Sequence, residues 1–165
     1  MVTCKTADFN NFSIVKTQLD ILYLDACNKE HTYLFDQVML GQFHPLYKEI
    51  KTSWGREPFF HADLSLKEMR NILMARTEML PLNWKPWYPS NNFNCSLCNL
   101  NVHEDIKHFL FDCLILREFR NSDFNNSNNV IQILNGSIGW KSLANYVNRA
   151  LNYRTMLTNE FNFNV

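Results

Sequence analysis

What the sequence lacks excludes several classes of protein. No run of about twenty apolar residues occurs, the length a helix needs to cross a bilayer, so no membrane partner is expected. The opening residues, MVTCKTADFNNFS, lack the charged-then-apolar pattern of a secretory signal. Net charge is absent too, with 16 Lys and Arg against 16 Asp and Glu. No global field therefore draws the chain onto nucleic acid, although a local basic patch remains compatible with that balance. No internal repeat is present. These absences predict a cytoplasmic or nuclear protein that is not secreted. Such compartments are reducing and favour thiolates over disulfides.

What is present is a domain-sized chain of 165 residues, 46% apolar and rich in aromatics at 14%, with 13 Phe. That composition can bury a core. The five cysteines are an odd number, which argues against a disulfide framework. Cys95, Cys98 and Cys113 group together in CSLCNLNVHEDIKHFLFDC, whereas Cys4 and Cys27 lie far away. The C-x-x-C turn aims two sulfurs at one point, and a third thiolate and an imidazole complete a tetrahedral donor set for one Zn2+. His103 and His108 both lie close enough to serve. If His108 is the ligand, nine residues separate it from Cys98 and four from Cys113, a longer loop than a retroviral zinc knuckle has. Residues five apart on an ideal helix differ in direction by roughly 140°. Cys113 must then stand where the helix ends or bends.

Four strong ligands close the shell, whereas catalytic zinc keeps an open position. Deaminase-type sites add an H-x-E acid/base motif, which HED at 103–105 is not. The expected metal is therefore structural.

Apolar spacing predicts a mainly α fold of five or six helices with an irregular connector and a zinc-stabilised C-x-x-C loop. Val15, Leu19, Leu22 and Ala26 suggest a helix over 13–29, ended by the polar stretch 28–32. Pro45 opens a second, with Leu46, Ile50 and Trp54 at four-residue steps and Gly55 as its stop. Ser65 and Glu68 have capping-box spacing, with Leu64 and Met69 as the hydrophobic staple. The helix they open carries Leu66, Met69, Leu73 and Leu80 and ends at Pro81. A short strand is expected near Phe59 and Phe60. The Pro- and aromatic-rich run 81–94 reads as an extended connector, and 121–129 as a flexible loop. A last helix begins near Ser137, with Trp140, Leu143, Val147 and Leu151 as its stripe. The implied organisation is a helical segment over 1–45, a helical zinc-binding domain over 46–154 and a flexible tail over 155–165.

Two strings, LSLKEMRNILMARTEMLPLNWKPW and CSLCNLNVHEDIKHFLFDCLILREFR, resemble the zinc-binding region that follows the polymerase in non-LTR (LINE-type) retrotransposon reverse transcriptases. The resemblance is specific from about Leu46 to Arg120 and weaker to about Arg154. It maps the family pattern onto Arg76, Cys95, Cys98, Asp105, His108-Phe109-Leu110, Cys113 and Arg120, and so selects His108 over His103. Where the family has Gln-Leu-Arg, this chain has Met74-Ala75-Arg76. No paired polymerase aspartates occur, and the carboxylates after Cys113 are too sparse for a nuclease. The resemblance thus implies a non-catalytic module that contacts RNA or single-stranded DNA. Candidate contacts are Arg76, Lys85, Trp87, Lys107, Arg117 and Arg120, with Trp84 and Tyr88 as further stacking platforms. The alternatives are a protein-interaction or scaffold module, and an inert remnant of a mobile element.

Overall fold

The structure is a computed structural model that describes residues 8–41, 44–85, 93–98, 100–124 and 129–160. It is mainly helical, as expected, and the described residues include no strand. The chain divides into two compact units, 1–41 and 42–165.

The described residues of the first unit form α1, Asp8–Leu40, a helix of 33 residues. The polar stretch at 28–32 does not end it, contrary to the expectation from sequence. Lys29 pairs with Asp25 one turn back at 2.7 Å, and Thr32 Oγ1 donates to Asn28 O at 2.9 Å. Without Gly or Pro in this stretch, such local bonds keep polar residues helical.

Among the described residues, the second unit holds the core and the α-helices α2 Pro45–Ile50, α3 Leu66–Arg76, α4 Arg117–Asp123, α5 Val130–Leu134 and α6 Trp140–Glu160. Pro45 starts α2 as expected, but the helix stops at Ile50, and Trp54 lies exposed beyond it. Phe59 and Phe60 belong to a 3-10 turn, Pro58–His61, rather than a strand. The capping box of α3 is fully formed: Glu68 N–H donates to Ser65 Oγ, and the Ser65 N–H donates to the Glu68 carboxylate. The helix buries Ile72, Ala75 and Arg76, whereas Leu66 is 84% exposed. It ends at Arg76, short of Pro81. Glu78 takes a left-handed φ of 56°. Met79 N–H then reaches Met74 O at 2.8 Å, and Glu78 N–H reaches Ala75 O at 3.3 Å. This is a Schellman stop, built on Glu where Gly is usual.

α6 supplies the central wall, against which α3 and α4 pack. Leu143 and Val147 of its expected stripe are buried, and Trp140 and Leu151 pack against the core. Residues 155–160 continue α6, so the loose tail expected from 155 is helical there. Likewise 121–123 complete α4. Residues 86–92, most of the predicted connector, lie outside the described residues.

Candidate metal centre

Cys95 and Cys98 stand on a turn braced by an isolated antiparallel bridge between Asn94 and His103. Cys95 N–H donates to Val102 O at 2.9 Å, and Glu104 N–H to Phe93 O at 2.8 Å. These bonds close a knuckle whose sulfurs point inward. Leu97 N–H faces Cys95 Sγ at 3.4 Å. Backbone N–H groups also face the other sulfurs, Leu100 toward Cys98 and Leu116 toward Cys113. Such donors favour thiolates.

His108 and Cys113 arrive from a different device. Asp105 Oδ1 accepts the His108 N–H at 2.7 Å, starting a helical turn. From His108 to Asp112 this turn is a π-helix. Cys113 N–H closes it on His108 O at 2.8 Å. The wider winding, with a bond five residues back, carries Cys113 round toward the side of His108. The divergence expected of an ideal α-helix is thereby resolved. Cys113 itself is extended, with φ −63° and ψ 113°. Ile106, Phe109 and Leu110 anchor the turn in the core.

The four side chains converge. All are buried, and their donor atoms lie within 4.8 Å of one another. Cys95 Sγ is 4.0 Å from Cys113 Sγ, and Cys98 Sγ is 3.3 Å from His108 Nε2. His103 is not in this group; it is exposed and its ring lies 5.5 Å from that of Phe93. The Cys95 thiol is pushed up to about 12, first by its hydrogen bond with Cys113 and then by burial. Burial also raises Cys98. A cation at the centre reverses that penalty, because it takes the place of the protons. The arrangement is therefore a possible metal site with three sulfur donors and one nitrogen donor.

A polar brace holds the knuckle to α6. Glu104, 1% exposed, accepts from Arg154 Nε at 2.8 Å, Arg154 Nη2 at 2.7 Å and Asn83 N at 2.9 Å. Asn83 Nδ2 donates to Asn94 O at 2.6 Å and to Ser96 Oγ at 2.8 Å. The sequence gives no sign of this pairing, whose charges are 50 positions apart.

Two of the nucleic-acid candidates, Arg76 and Arg120, make hydrogen bonds within the fold. Arg76 is 2% exposed and serves the core. It donates to Glu57 Oε2 at 2.9 Å, to Asn135 Oδ1 at 3.0 Å and to Leu134 O, between the rings of Phe59 and Trp140. Arg120 is half-buried and donates to Cys113 O at 2.6 Å, bracing the metal loop. Both are corrections: the Arg76 guanidinium is enclosed in the core, and Arg120 Nη2 is taken up by the metal loop. Arg117 and Lys107 are exposed, while Lys85 and Trp84 are half-buried. Trp87 and Tyr88 lie outside the described residues.

Comparison with known proteins finds no matching family model, no significantly similar curated protein and no significantly similar solved structure. Among the described residues, no helix is long and apolar enough to cross a membrane.

Proposed function

We propose that the chain is a non-catalytic module whose Cys95, Cys98, His108 and Cys113 hold one structural Zn2+. The observation that carries this reading is the convergence of four buried donors from two separate segments. Zn–S bonds of about 2.3 Å and Zn–N bonds of about 2.0 Å imply tetrahedral edges of about 3.8 Å between sulfurs and about 3.5 Å from sulfur to nitrogen. The separations of 4.0 Å and 3.3 Å are close to those edges. Four protein ligands leave no position for water. Such a metal works by joining the C-x-x-C turn to the π turn, and so to α6. Replacement by cobalt(II) tests the closed shell. The visible spectrum should be that of a tetrahedral sulfur-rich site, and added cyanide or imidazole should leave it unchanged. A spectrum that shifts with either ligand contradicts the structural role.

The resemblance to the zinc-binding region of LINE-type reverse transcriptases supports RNA or single-stranded DNA as the partner, through Arg117, Lys107 and Lys85. A protein partner is the second reading. It is favoured by a specific observation: Arg76 and Arg120 are occupied within the fold. A salt series separates the two, because phosphate-driven affinity falls linearly on a log–log plot. No binding to structured RNA or single-stranded DNA at low salt removes the first reading.

A further inference from the structure

Three thiolates around a dication leave one negative charge in excess, and a neutral imidazole adds none. The donors that would carry this charge are all buried. A buried charge is costly unless an opposite charge answers it. Arg154 is already committed elsewhere. It covers both oxygens of Glu104, at 2.8 and 2.7 Å, and Glu104 Oε1 lies 3.8 Å from Cys95 Sγ. That pair is neutral as a whole and leaves nothing for the sulfurs. On the His108 side, Asp105, Asp112 and Lys107 line a concavity. Two carboxylates against one ammonium there add to the negative excess.

Arg120 on α4 differs from these. It is half-buried, and Nη2 donates to Cys113 O at 2.6 Å. Nη1 is buried and has no hydrogen-bond partner. Among the described residues, no carboxylate pairs with this guanidinium. Asp123, on the same helix, is taken by Arg149 at 3.2 Å, and Glu118 is exposed. The Tyr146 hydroxyl lies beside both Arg120 and Cys113, but it donates to Phe109 O at 2.5 Å and brings no charge. A cation without an anion thus adjoins a centre with an anion in excess.

We propose, resting on the zinc reading above, that Arg120 is the counter-ion of the metal centre. Its guanidinium offsets the excess charge from the Cys113 side and so sets how tightly the ion is held. It is a positioning residue that acts through Cys113, not a ligand. Replacing residues that support metal ligands in this way typically costs about 10–100-fold in metal affinity.

The test loads the full chain with cobalt(II). Competition with a chromophoric chelator gives the affinity, and the sulfur-to-cobalt charge-transfer band reports the potential at the thiolates. Arg120→Gln keeps a donor for Cys113 O but loses the charge. It should bind about 10–100-fold more weakly. Its charge-transfer band should move to longer wavelength, because losing a nearby cation raises the energy of the sulfur electrons. The d–d bands, which report tetrahedral geometry, should stay in place. A purely mechanical brace would lower the affinity without moving the charge-transfer band. Arg120→Lys keeps a point charge and should restore most of the affinity and the position of the band. Arg149→Gln removes a guanidinium that has its own carboxylate, and should leave the band where the parent has it. If Arg120→Gln does not fold even with cobalt, Arg120→Lys decides alone: its band must match the parent's, and a displaced band refutes the counter-ion. The proposal is also overturned if Arg120→Gln keeps the parent's affinity or band, if Arg120→Lys is as weak as Arg120→Gln, or if Arg149→Gln moves the band equally. A parent chain without a sulfur-rich cobalt spectrum removes the zinc reading, and the counter-ion with it.

Discussion

Arg154→Leu should be among the most damaging single substitutions outside the metal ligands. Its guanidinium covers both oxygens of a carboxylate that is 1% exposed, at 2.8 and 2.7 Å. Removing it leaves the Glu104 carboxyl buried, with Asn83 N–H and the Cys95 sulfur, 3.8 Å from Oε1, as its remaining contacts. Breaking a buried pair from one side costs about 3–5 kcal/mol, because the remaining charge is uncompensated. The reverse change is milder. Glu104→Gln keeps an acceptor for Asn83, and Arg154, with its side chain 13% exposed, has some access to solvent. A loss of about 1–3 kcal/mol is expected there. The double variant should therefore be more stable than Arg154→Leu alone. Urea unfolding of the metal-replete protein, with a common slope, measures all three differences. For a unit of this size, Arg154→Leu should lower Tm by on the order of 10 °C. The reasoning fails if Arg154→Leu costs less than Glu104→Gln, or if the two effects simply add.

Three further outcomes follow from the same geometry. Gly136→Ala should destabilise by about 1–3 kcal/mol in urea melts: φ there is 84°, and a Cβ would sit 2.6 Å from the Trp140 ring. The Glu68 carboxyl is held down to about 2, first by Lys141 and then by Ser65. Its folded pKa lies below its unfolded one, so its contribution is complete above the ordinary carboxylate range and is lost as pH falls toward 2. Glu68→Gln should flatten that part of the stability-versus-pH curve, and an unchanged acid limb contradicts the assignment. Cys98→Ser should cost several kcal/mol of unfolding free energy, because metal-binding energy is partly folding energy; a variant that melts like the parent makes the site peripheral.

The features legible from sequence are those built from neighbours. The Ser65–Glu68 box, the Pro45 start and the α6 stripe all depend on positions a few residues apart. The metal donors follow the same rule, since each pair is set by a local turn, and only the π winding between His108 and Cys113 was missing. The resemblance to a known family selected His108, and the geometry groups that residue with the three cysteines.

What was misread depends on distant partners. Arg76 and Arg120 look like free cations until Glu57, Leu134 and Cys113 close on them. The role of Glu104 is hidden until Arg154 reaches it across the unit. The end of α3 was missed because Glu78 adopts a left-handed conformation that its side chain does not advertise. The length of α1 was missed because polarity does not break a helix whose polar side chains bond locally.

The central claim concerns one metal ion. Elemental analysis of the chain purified without added metal should find about one zinc per chain, the stoichiometry of a single tetrahedral site. Substituting Cys98 or Cys113 should abolish it, whereas His103→Ala should leave it intact. A parent protein that folds fully with no bound metal would contradict the account.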